Sequence, residues 1–278
     1  MDFLTGMAEA SRARSAAARA DRDDAEIARI ADSQPGPGPL ILSHDGFDLI
    51  AEVKKSSPSA GALAGAELSP AVQGRRYADA GAAAISVLTE PERFAGELAH
   101  LEAVVAEVGT VPVMRKDFLI TPYQVVEARA HGASGVLLVA AMFDAPALRD
   151  MLQTALDLGM FALVEAFDEA DIDLCAPIID AAGSPFDAER CRILIGVNCR
   201  NLRTLVVDFP RFTQLAEHLP PGLPWIAESG VTTPEHAAEV AAMGYDLALV
   251  GTALMRAGDP TATASAMLEA GRAAAPSG

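Results

Sequence analysis

Residues 111–140 read VPVMRKDFLITPYQVVEARAHGASGVLLVA, and they contain one complete structural repeat. Val111–Met114 is a short apolar run that ends in the charged triplet Arg115-Lys116-Asp117. Thr121-Pro122 then supplies an N-cap followed by proline at the first helical position, where its missing N–H costs nothing. Gln124 stands three residues after Thr121, the spacing of a capping box. The helical stretch closes on Gly132, a residue that accepts the left-handed conformation of a helix end. A new apolar run, Gly135–Ala140, restarts the cycle. Strand, crossover helix, strand is the unit of a parallel sheet.

The same cycle recurs on both sides of this stretch. Apolar runs occur at Phe47–Val53, Ala82–Leu88, Val111–Met114, Gly135–Ala140, Met160–Val164, Arg192–Val197, Leu223–Ala227 and Asp246–Val250. Further N-cap and proline pairs stand at Ser69-Pro70, Thr233-Pro234 and Asp259-Pro260, and further closing glycines at Gly81, Gly159 and Gly244. The runs are near-continuously apolar, as expected of strands covered on both faces. Eight such units predict an α/β fold, a (β/α)8 TIM barrel, for which about 250 residues is typical. An open doubly wound sheet would carry a Gly-rich turn after its first strand, where this chain has Lys54-Lys55-Ser56-Ser57-Pro58-Ser59. Upstream, Asp2–Ile30 has the composition of one helix, and Gln34-Pro35-Gly36-Pro37-Gly38-Pro39 ends it. The expected division is an N-terminal helical extension and Pro/Gly linker over 1–46, then a catalytic barrel over 47–278.

The chain has 278 residues with 21 Lys+Arg against 38 Asp+Glu, a formal charge of −17. That balance argues against nucleic-acid partners and anionic membrane surfaces. It leaves room for a small anion, which backbone N–H groups can hold whatever the global charge. The longest apolar stretch, Val136–Phe143, is far short of the ~20 residues of a membrane span. Cys175, Cys191 and Cys199 are too few and too irregular for a disulfide framework or a zinc site. No signal pattern opens the chain. The expectation is a cytoplasmic protein with no metal, acting as a monomer or weak homodimer on a phosphorylated small molecule.

Catalytic groups of such barrels project from the C-terminal ends of strands. Here those ends carry Glu52 and Lys54, two residues apart and so on one face, then Lys116, Glu165, Asn198, and Glu228-Ser229. A mixed set of ammonium, carboxylate and amide groups around one mouth points to acid–base chemistry. Gly230 and Gly251, after the last two strands, would let backbone amides approach a phosphate. Phe94 and Phe118 follow strand ends and could wall an aromatic ligand. Cys199 reads as a packed side chain, since no histidine is placed to activate it.

Several motifs in register resemble the indole-3-glycerol phosphate synthase family of tryptophan biosynthesis. They are residues 50–59 (IAEVKKSSPS), Ile85–Glu90, Arg115–Phe118 with Pro122-Tyr123-Gln124, Gly196–Leu202, Glu228–Val231 and Gly251–Arg256. The resemblance implies a cofactor-free ring closure with decarboxylation and dehydration of an anthranilate-substituted ribulose phosphate. It implies Lys116 as general acid, Lys54 near the substrate carboxylate, and Glu165 and Glu52 as base or acid in the later steps. Asn198, Glu228 and Ser229 would orient the sugar hydroxyls, and Arg200 and Ser57 would contact anionic groups. Gly230, Gly251 and Thr252 would cradle the phosphate, and Phe94 and Phe118 would pack on the ring. The alternative is a diverged phosphate-binding barrel enzyme, such as a sugar-phosphate isomerase or a synthase for a modified anthranilate. Three positions depart from the family pattern: Ala60 in place of a lysine, Cys199 in place of an asparagine, and Glu97 in place of a small polar residue. The soft stretch from Gly61 to Ala66 is expected to be a mobile loop.

Overall fold

The computed structural model describes residues 3–58, 61–63, 69–180, 192–201 and 206–276. Ala60 and the stretch 64–66 lie outside them, as does Cys191. Eight parallel strands close into a barrel: β1 (Asp48–Val53), β2 (Ala84–Leu88), β3 (Val113–Lys116), β4 (Gly135–Val139), β5 (Phe161–Ala166), β6 (Ile193–Asn198), β7 (Trp225–Glu228) and β8 (Leu247–Val250). Each falls within or beside one of the eight apolar runs. β1 pairs with both β2 and β8, and that second pairing closes the ring.

Period-two alternation sorts every strand into two faces. On β5, Phe161 and Leu163 join the cluster inside the barrel, while Ala162 and Val164 join the larger cluster between strands and helices. Phe161 fills the barrel floor; a Cβ at Gly135 of the neighbouring β4 would run into its ring. Burying one such side chain stabilises by roughly 1.5–3 kcal/mol. The closing glycines foreseen at Gly81, Gly132, Gly159 and Gly244 all have positive φ, between 75° and 94°.

The N-terminal segment departs from the single helix expected. It forms α1 (Phe3–Asp21) and α2 (Asp24–Ser33), broken where Asp23 turns extended and accepts a hydrogen bond from the Glu26 amide. Helix α2 packs Ile27 and Ala31 against Tyr123 and Ala130 of the helix Pro122–Ala130 that follows β3. Gln124 of that helix donates to Ser11 Oγ at 2.9 Å, and Tyr123 donates to the Arg22 carbonyl at 2.9 Å. The extension is thereby tied to one side of the barrel mouth. No helix among the described residues is long and apolar enough to cross a membrane.

Candidate active site

Alternate strands build the site. At the C-terminal ends of β1, β3, β5 and β7 the inward positions are Glu52, Lys116, Glu165 and Glu228, four side chains in one layer as odd strands of a barrel supply them. The alternation that points Met114 and Lys116 inward turns Arg115 outward, where it donates to Glu127 Oε2 at 2.8 Å and to the Gln124 carbonyl. Lys116 Nζ bonds Glu228 Oε2 at 2.7 Å and lies 3.6 Å from Glu165 Oε2 and 3.8 Å from Glu52 Oε2. The other oxygen of Glu52 pairs with Lys54.

Burial and charge divide these groups by task. Burial works against the Lys116 ammonium, but Glu228, Glu165 and Glu52 outweigh it and raise its pKa, so the lysine stays charged. Glu165 is pushed up to about 8, first by burial and then by the negative charge of Glu228; Lys116 and a hydrogen bond to Asn198 only partly offset this. Burial raises Glu52 as well, yet Lys54 and Lys116 together hold it below the ordinary carboxylate range. One carboxyl is therefore ionised and another keeps a proton near neutral pH. Unequal carboxyls of this kind separate acid from base.

All fourteen residues singled out from the sequence line one pocket: Glu52, Lys54, Ser57, Phe94, Lys116, Phe118, Glu165, Asn198, Arg200, Glu228, Ser229, Gly230, Gly251 and Thr252. Phe94 and Phe118 form an apolar wall, their ring centroids 6.3 Å apart. Phe94 sits on the turn Pro91–Phe94, which Glu90 caps by accepting from three successive amides. Across the mouth, Ser229 has φ 63°, a conformation that costs a non-glycine residue roughly 1–2 kcal/mol. Strain of this kind collects at functional sites. Gly230 follows with φ 93°, and Gly251 and Thr252 lie beside them in the pocket wall. A Cβ at Gly251 would overlap Glu52 and come within 2.8 Å of Lys54 Nζ, so its bareness also makes room for that ion pair.

Two contributors were missed in the sequence. Phe3 of α1 lines the pocket and meets Phe118 edge-on, centroids 5.9 Å apart. Its only signal was being the one aromatic residue before Phe47. Arg14, also on α1, bonds Asp117 at 2.7 Å and lies 3.6 Å from Glu90, joining the neighbour of Lys116 to the cap under Phe94. Nothing in an Ala/Arg-rich helix distinguishes that arginine. Cys199 is buried, and burial pushes its thiol up to about 12, in keeping with a packing role. Among the described residues no group of three or more His, Cys, Asp or Glu could hold a metal ion.

The sequence profile described as "Indole-3-glycerol phosphate synthase" matches residues 11–267. The chain belongs to the indole-3-glycerol phosphate synthase family. A family member from Parafrankia sp. (strain EAN1pec) is 44% identical over 245 residues, 88% of this chain and 85% of the relative. One from Mycolicibacterium gilvum (strain PYR-GCK) is 42% identical over 270 residues, 96% of this chain and 94% of the relative. Both bear the name indole-3-glycerol phosphate synthase. Among solved structures, 3-hexulose-6-phosphate synthase from Salmonella typhimurium superposes with a TM-score of 0.61 at 14% identity, covering 82% of this chain and 99% of its own. That likeness bears on the barrel alone.

Proposed function

We propose that the chain converts 1-(2-carboxyphenylamino)-1-deoxy-D-ribulose 5-phosphate to indole-3-glycerol phosphate, carbon dioxide and water. The observation that carries this reading is the buried ammonium of Lys116 held among Glu228, Glu165 and Glu52, beneath an aromatic wall. Ring closure requires the aromatic carbon bearing the carboxylate to attack the ketone carbon. Lys116 donates to the ketone oxygen, so the developing alkoxide is neutralised as the carbon–carbon bond forms. Loss of carbon dioxide returns the bonding pair to the ring. The new hydroxyl then leaves as water, taking one proton, while a second comes off the adjacent methylene carbon. Glu165, with a pKa of about 8, and the ionised Glu52 are suited to that exchange.

The remaining roles follow position. Lys54, beside Glu52 at the rim, attracts the substrate carboxylate, and Phe94 and Phe118 stack on the anthranilate ring. Asn198, Ser229 and Glu228 orient the sugar hydroxyls; Glu228 also fixes Lys116. Arg200 and Ser57 contact anionic groups, and the main chain at Gly230, Gly251 and Thr252 receives the phosphate. A doubly anionic phosphorylated substrate does not leave a cell unaided, which favours the cytoplasm. Mixing purified chain with the anthranilate-substituted ribulose phosphate should produce indole fluorescence. Lys116→Met should lower kcat by about 10²–10⁴ with circular dichroism unchanged. Near-normal kcat in that variant, or no turnover by the wild-type chain, would refute the reading.

A further inference from the structure

Gly196 occupies an inward position on β6, level with Glu165 of β5 and Ile226 of β7. Its neighbours on the same face of β6, Leu194 and Asn198, both carry side chains into the barrel. A Cβ at Gly196 would overlap Glu228 Oε1 outright and lie 3.1 Å from Glu228 Cδ and 3.0 Å from Leu163 Cδ1. The Glu228 carboxylate therefore lies in the space that a side chain on β6 would take. Its Oε2 is bonded to Lys116, its Oε1 is buried, and its side chain shares a hydrogen bond with that of Glu165.

We propose that Gly196 is a positioning residue whose missing side chain lets Glu228 fold in beside Glu165, creating the pair of adjoining carboxyls that Lys116 contacts. This deepens the acid–base reading of the same site and rests on it. Two carboxyls in contact cannot both ionise cheaply, so each favours the protonated form of the other. Glu165 faces Glu228 from β7, Lys116 from β3, Asn198 from β6, and Glu52 from β1 across the lysine. Glu228 is the one charged neighbour that favours the protonated form strongly; Lys116 and Asn198 oppose it. With any side chain at 196, Glu228 has to withdraw by about an ångström, and Glu165 is left closer to the lysine's influence alone. A misplacement of that size can cost a catalytic step about 100-fold.

The decisive measurement is the pH titration of the Glu165 carboxyl by ¹³C NMR, assigned by its disappearance in Glu165→Gln, in wild-type chain and Gly196→Ala. The expected result is a Glu165 midpoint lower by at least one pH unit in Gly196→Ala. The kinetic counterpart is a roughly 10- to 100-fold slower turnover with KM changed less than threefold. Shortening the displaced acid in Gly196→Ala/Glu228→Asp should recover part of the lost turnover relative to Gly196→Ala. An unchanged midpoint, or no recovery in the double variant, would overturn the proposal. If Gly196→Ala does not fold, Gly196→Ala/Glu228→Gly should fold, because the colliding carboxylate is gone; failure there too would place the collision elsewhere and end the idea. Should the wild-type chain not turn over the anthranilate-substituted ribulose phosphate, the functional reading fails, while the titration still tests the role of Gly196.

Discussion

Glu165→Gln should reveal, in stability alone, that the buried carboxyl is held protonated. In the folded chain Glu165 titrates at about 8 against an ordinary 4.5, with burial the leading cause and Glu228 next. Between those pH values the unfolded chain has released this proton and the folded chain has kept it. Stability then falls as pH rises, by 2.303RT or about 1.4 kcal/mol per pH unit. The contribution is fully present below pH 4.5 and lost by the time pH passes 8, a span worth on the order of 5 kcal/mol. Glutamine keeps the shape and cannot ionise, so it removes this dependence. Urea unfolding of both chains at half-unit steps from pH 5 to 9 measures it. The difference in stability between variant and wild type should grow in favour of glutamine with a slope near 1.4 kcal/mol per unit, then level off above pH 8. A difference that does not vary with pH would refute the assignment, because the carboxyl would then be ionised in the fold throughout.

Two further outcomes are expected. Arg14→Met leaves the buried Asp117 with Thr89, Arg115 and the Phe118 amide, and should lower stability by about 1–2 kcal/mol. That is less than the roughly 3–5 kcal/mol of a fully buried pair, since Arg14 is one quarter exposed; an unchanged urea midpoint would contradict it. Cys175 and Cys199, buried and pushed up to about 12, should resist iodoacetamide at pH 8 in the native chain and react once it is unfolded. Peptide mass mapping reads this directly, and native labelling of Cys199 would be the contrary result.

What could be read beforehand and what could not divide along physical lines. The barrel was visible because each repeat carries its own local chemistry: Thr121-Pro122 opens a helix, Gly132 closes it, and Gly135–Val139 can only be a buried strand. The site residues were visible because strand ends are its fixed address, and a glutamate directly after Phe161–Val164 has no other business there. Which of them touch was hidden. Lys116 and Glu228 are 112 residues apart, and only ring closure decides that they share a bond. The break between α1 and α2 was legible in principle, since Asp23 and Glu26 have cap spacing. Continuous helix-forming composition on both sides masked it. Phe3 joins the pocket through the docking of α1, a tertiary event that no local pattern announces.

The alternate-strand origin of the four-membered layer divides the chemistry evenly along the chain. Residues up to the end of β4 hold Glu52 and Lys116, and residues from β5 onward hold Glu165 and Glu228. Neither half holds Lys116 together with the Glu228 and Glu165 carboxyls it lies against. A chain cleaved between β4 and β5 would yield two silent fragments, and their mixture would regain turnover only as far as the β4–β5 and β8–β1 seams knit together again.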